Sequence, residues 1–192
     1  MNSKIVESVS LADINYEQIY FNPGCALSIY KPDAELKLLA ILQQYFPKMQ
    51  MHNICCHHDP NLPKGSTIVN NCAGCDRRFR SLYEGVNTIT IWELLDSLST
   101  LELPQYKGLC VSVHDSCSFR QKPQVYEFQK KRAAQMPCED VVVYCVSCIK
   151  AMKIGNKTPH HLVDLLLNEP TEPQELDLVL YHETVDEYIK CH

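Results

Sequence analysis

The 192-residue sequence predicts an α/β protein of two pseudo-repeated βαβ halves, with mainly parallel sheets and cysteines gathered at strand C-terminal ends. Three observations carry this. Short β-rich runs alternate with helical stretches at the spacing of βαβ units. The first half can be laid over the second. In each half a β-branched run passes directly into a CxxC, at Cys72/Cys75 and at Cys145/Cys148.

In chain order, "IYFNPGC" predicts a strand ending in a Pro-Gly turn and Cys25. Pro32 then suits the first turn of a helix, where its missing N–H costs nothing. Leu36, Leu39 and Leu42 give that helix an apolar face. The insert "KMQMHNICCHHDPNLPKG" carries the adjacent pair Cys55 and Cys56, and "STIVNNCAGC" reads as a strand entering Cys72 and Cys75. "TIWELLDSLSTL" is a candidate amphipathic helix. The second half repeats the order: "LCVSVHDSC" up to Cys117, Pro123 opening a helix with Val125, Phe128 and Ala133 on one face, "EDVVVYCVSC", then the helix "PHHLVDLLLNEP". It lacks the insert and offers only Cys138 there. The halves meet near residues 101–108, giving units 1–104 and 105–192. The acidic tail after Pro170 is expected to add a strand ("LDLVLY") or a docking segment.

An apolar content of 45% with 21% charged residues is that of a globular chain. The net charge of −5 argues against nucleic acid or an anionic membrane surface as partner. No apolar run reaches membrane-spanning length and no apolar leader opens the sequence, so direct membrane insertion is not expected and a cytoplasmic location is. In a reducing compartment, eleven cysteines point to metal ligation or redox chemistry rather than to a disulfide framework.

In βα units, ligands gather where strand ends meet helix N-termini. Cys25, Cys55, Cys56, Cys72 and Cys117 all close strand-like runs and should therefore converge on one sheet edge, where the CxxC adds Cys75. Five thiolates exceed one tetrahedral zinc site, and soft sulfur donors suit an iron–sulfur cluster, zinc or copper(I). A domain with buried thiols and no metal stays open beside these. The second half holds Cys117, Cys145 and Cys148 in corresponding places, plus Cys138; zinc, a second cluster and no metal are all open there. Cys110 reads as core and Cys191 as a terminal thiol. His52 and His58 read as surface-loop residues and His57 as a neighbour of the cysteine ligands. His114 and Asp115 read as turn residues supporting Cys117. Arg77, Arg78 and Arg80 face either an anionic partner or solvent.

The ordered set "NPGC", "CC" and "NCAGC", echoed by "HDSC" and "CVSC", resembles the CCG-type cysteine-rich domain of heterodisulfide reductase and related oxidoreductase complexes, over roughly residues 19–167. The resemblance implies a noncubane 4Fe–4S cluster on Cys25, Cys55, Cys56, Cys72 and Cys75, and zinc in an incomplete second motif, where Cys138 would join Cys117, Cys145 and Cys148 as the fourth donor of a Cys₄ site. His57 stands where glycine usually follows the pair, the interval from Cys56 to Cys72 is short, and the second Cys-Cys pair is absent, so a two-cluster protein is not expected. The expected function is an iron–sulfur redox protein that relays electrons or reduces a thiol or disulfide substrate. Neither GxGxxG nor GxxxxGK[ST] is present, so electrons would come from or go to a partner subunit. The alternatives are a zinc-stabilised binding or accessory module without redox turnover, and a metal-free thiol enzyme.

Overall fold

The computed structural model describes residues 10–114, 133, 135–172 and 178–191. It is an α/β structure with two separate parallel sheets. The chain divides into two compact units, one holding the sequence up to Leu101 and again from His182, the other running from Glu102 to Tyr181.

The first sheet has the order β2-β1-β3-β4, from β1 (Ile19–Asn22), β2 (Gln50–Met51), β3 (Thr67–Asn70) and β4 (Asn87–Thr90), with every pair parallel. All four residues of β3 are buried, as expected of a central parallel strand covered on both faces. Helices α1 (Cys25–Tyr30) and α2 (Pro32–Tyr45) follow β1, with Pro32 opening α2. Leu38 and Leu42 of α2 are fully buried with Phe21, Ile68 and Phe79. The CxxC does not precede a helix at a distance; it opens one, α3 (Ala73–Leu82), with Cys72 as its N-cap. Next, "NTIT" forms β4, and α4 (Ile91–Asp96) starts on a capping box in which Thr90 and Glu93 satisfy each other's backbone N–H.

The second sheet repeats the pattern in the order β5-β6-β7: β5 (Val111–His114), β6 (Asp140–Val143) and β7 (Thr158–His161). The second CxxC opens α5 (Val146–Ile154), with Cys145 as N-cap, and α6 (Leu162–Leu166) follows β7. The run β6-α5-β7-α6 thus copies β3-α3-β4-α4. Pro159 lies in β7, an edge strand, where a missing N–H is tolerated.

The tail corrects one expectation. "LVLY" is not a strand but the start of α7 (Leu178–Cys191). Val185 is buried, and Ile189, one helical turn on, packs against the first unit's cysteine-rich core. Cys117 and Asp115, and the proposed second-half helix from Pro123, lie outside the described residues. Among the described residues, no helix is long and apolar enough to cross a membrane.

Candidate functional site

The strand order decides what meets at the C-terminal edge of the first sheet. Cys55 and Cys56 follow β2, Cys25 follows β1, and Cys72 with Cys75 follows β3. These are three adjacent strands, so all five cysteines arrive together.

The β1 turn is fitted against the CxxC. Gly24 has φ 78° and ψ 140°, a region closed to most side chains. A Cβ added there would lie 2.9 Å from Cys72 Cβ and 3.6 Å from Cys75 Sγ, so glycine lets the turn before Cys25 touch the base of α3. The turn is held by Asn22, whose Oδ1 accepts from Gly24 N at 3.1 Å, and by Asn71, whose side chain donates to the Pro23 carbonyl. Behind it a buried polar ladder crosses the sheet. Asn22 Nδ2 donates to Asn70 Oδ1, Asn70 Nδ2 to Thr88 Oγ1, and Thr88 Oγ1 to Asp76 Oδ1, each at 2.8 Å. Arg80 closes the ladder on Asp76, one turn back on α3. These links tie β1, β3, β4 and α3 into one register.

The five sulfurs are linked pairwise. Hydrogen-bond contacts run from Cys25 to Cys55, from Cys55 to Cys56, from Cys56 to Cys75 and from Cys75 to Cys72. Cys55, Cys56 and Cys75 are buried, with Ile68 and Phe79 beside them and Tyr20, Leu62 and Tyr83 at the margin. None of the described cysteines is in a disulfide. Cys55 is the favoured thiolate: it accepts from Cys25 and Cys56, then from the His57 backbone, and this holds its thiol well below the usual range despite burial. Hydrogen bonding to Cys55 and burial push Cys56 up, and donation to Cys56 and Cys72 with burial pushes Cys75 up. One negative charge is thus favoured on the linked sulfurs, and further ionisation calls for a cation. Among the described residues, no group of three or more His, Cys, Asp or Glu side chains is arranged to hold a metal ion.

Several neighbours differ from their sequence reading. His52 is no surface residue; it is buried, its Nε2 lies 3.1 Å from the Pro60 carbonyl, and its ring stands edge-on to Tyr20 and Phe79. His58 is exposed, yet its Nε2 reaches the Ile189 carbonyl at 2.5 Å. His57 supplies a backbone donor to Cys55 without needing the positive φ that glycine would offer. Arg78 is half-buried: its Nε donates to the Cys56 carbonyl at 2.8 Å, which also accepts from Tyr83 Oη. Arg77 is exposed. Tyr188 of α7 lines the cleft over Cys25, Cys55, Cys56 and Cys75, with its hydroxyl bonded to Ser28. Ser28 in turn donates to Glu35 at 2.5 Å. Tyr188 carried no motif, and only the spacing of Val185 and Ile189 hinted that the tail docks.

In the second unit Cys145 and Cys148 follow β6, while His114 and His161 end the strands on either side of it, both buried. His114 is the last residue of β5 rather than a turn residue. Cys138 precedes β6 and Cys145 follows it, so the strand holds them at opposite ends, and Cys138 does not join Cys145 and Cys148 as a fourth donor. Cys110 is not core but exposed, immediately before β5.

Comparisons with family models, with curated proteins and with solved structures return no match for this chain.

Proposed function

We propose that the chain is an iron–sulfur redox protein of the CCG-type cysteine-rich kind, whose first unit holds a 4Fe–4S cluster through Cys25, Cys55, Cys56, Cys72 and Cys75. The observation that carries this reading is the convergence of five cysteines on three adjacent strand ends, with their sulfurs linked pairwise in a chain of contacts. A single zinc ion needs four donors around one point. Five converging soft sulfur donors exceed that number and would suit a centre of several irons. The Gly24 cradle fits the same reading, since it keeps the Cys25 turn against Cys72 and Cys75 with no side chain between.

Such a group, when bound, supplies one-electron transfer. The chain's own residues do the rest. Ile68, Phe79 and Tyr83 keep water from the inner side of the thiols. The His57 N–H directed at Cys55 sulfur favours electron density on that ligand, the kind of hydrogen bond that raises a cluster's potential. Tyr188 and Ser28 border the open side, where a partner protein or a thiol-type substrate would approach. In the second unit the reading is a zinc site centred on Cys145 and Cys148, without Cys138.

The test is anaerobic purification and reconstitution, with iron, acid-labile sulfide and zinc assayed beside visible and EPR spectra. Iron and sulfide in equal, stoichiometric amounts with a cluster EPR signal are expected. Zinc alone, with no iron or sulfide after reconstitution, would overturn the redox reading in favour of a zinc-stabilised module.

A further inference from the structure

Besides the terminal Cys191, two cysteines lie outside both sets. Cys110 stands immediately before β5 and Cys138 two residues before β6, at the N-terminal edge of the second sheet and away from the CxxC end. The register pairs Val111 with Asp140, so one step back along the two strands brings Cys110 beside the 138–139 segment. With about 4.8 Å between strands and about 3.3 Å per residue, their Cα atoms fall about 6 Å apart, within the range a disulfide spans. The side chains meet: the Cys110 thiol is hydrogen-bonded to Cys138 sulfur, and Cys110 is exposed. Lys157 Nζ donates to the carbonyls of Met136 and Cys138, at 2.8 and 2.9 Å, and so fixes a cation beside the pair.

We propose that Cys110 and Cys138 form a reversible disulfide that staples the starts of β5 and β6, and that small-molecule disulfides of the glutathione type are its oxidant. Cys138 thiolate attacks one sulfur of the oxidant, forming a mixed disulfide and expelling one thiolate. Cys110 then attacks the Cys138 sulfur, the protein disulfide forms, and a second thiolate leaves. Two protein thiols are oxidised, one external disulfide is reduced, and the two protons go to the two released thiols. Cys138 is half-exposed and Cys110 exposed, so the oxidant can reach the pair, and their contact makes the second step intramolecular.

The inference is independent of any cluster in the first unit. The full chain is equilibrated with graded ratios of reduced to oxidised glutathione, quenched by alkylation and mapped by fragment-ion mass spectrometry. One species, two hydrogens lighter and linked from Cys110 to Cys138, is expected to accumulate and to disappear with dithiothreitol. Cys110→Ser should remove the link and leave Cys138 as a glutathione mixed disulfide, with iron content and circular dichroism unchanged. Separate alkylation of Cys110 and Cys138 across the whole series would overturn the proposal, as would links from either to other cysteines at equal yield.

Discussion

Replacing Gly24 by alanine places one methyl group where the structure has none to spare. Two costs add. The backbone at φ 78°, ψ 140° is sparsely open to L-residues, which costs about 1–3 kcal/mol. The new Cβ would sit 2.9 Å from Cys72 Cβ, an atom one bond from the α3 backbone and unable to swing aside. Overpacking of that kind costs about 1–3 kcal/mol more. The total of about 2–6 kcal/mol is a large share of a stability of about 5–15 kcal/mol. Gly65→Ala is the control: φ is 85° and nothing lies within 4 Å of its Cβ, so it carries strain alone. Urea unfolding followed by the single tryptophan, Trp92 in α4 of the first unit, measures both variants. Gly24→Ala should be the less stable by about 1–3 kcal/mol, the contact share of its cost. If both variants lose the same stability within about 0.5 kcal/mol, the close packing of the Cys25 turn on the CxxC is refuted.

Three further outcomes are expected. Cys55→Ser should abolish or alter a reconstituted cluster's EPR signal, whereas Cys191→Ser, exposed at the end of α7, should leave signal and iron content unchanged. Asn70→Ala should cost about 2–3 kcal/mol in urea unfolding, because it leaves Asn22 Nδ2 buried without its acceptor and opens a small cavity between β1 and β4. Burial lowers the His52 pKa from its ordinary 6.5. The fold therefore holds the neutral ring, and this contribution is complete above about pH 6.5 and lost below it as the unfolded chain takes up a proton. His52→Gln should flatten the fall in stability between pH 7 and 5, and an unchanged slope would exclude His52 as its source.

The first unit was legible because its signals agree. "TIVN" is β-branched and runs into the CxxC, and the ordered cysteines fall after three strand-like runs that the parallel sheet makes neighbours. The short strands were not legible. "NTIT" is mostly polar and "TPHH" contains proline, and both form because a parallel neighbour already offers its ladder. Cys138 stands where the first half carries its Cys-Cys insert, but the extended strand β6 lies between it and Cys145 and holds the two apart. Leu178, Val179 and Leu180 imitate a strand; the helix becomes visible only with Val185 and Ile189 one turn apart. The polar ladder leaves no pattern at all, since Asn22, Asn70 and Thr88 meet only after the strands are in register.

The cover over the five thiols comes from the far end of the chain. Tyr188 and Ile189 follow Cys75 by more than a hundred residues. At a synthesis rate of about 5–20 residues per second, all five donors leave the ribosome roughly 5–20 s before the residues that close over them exist. Whatever this site accepts has that interval to enter from the side that α7 later occupies, and afterwards must pass Tyr188.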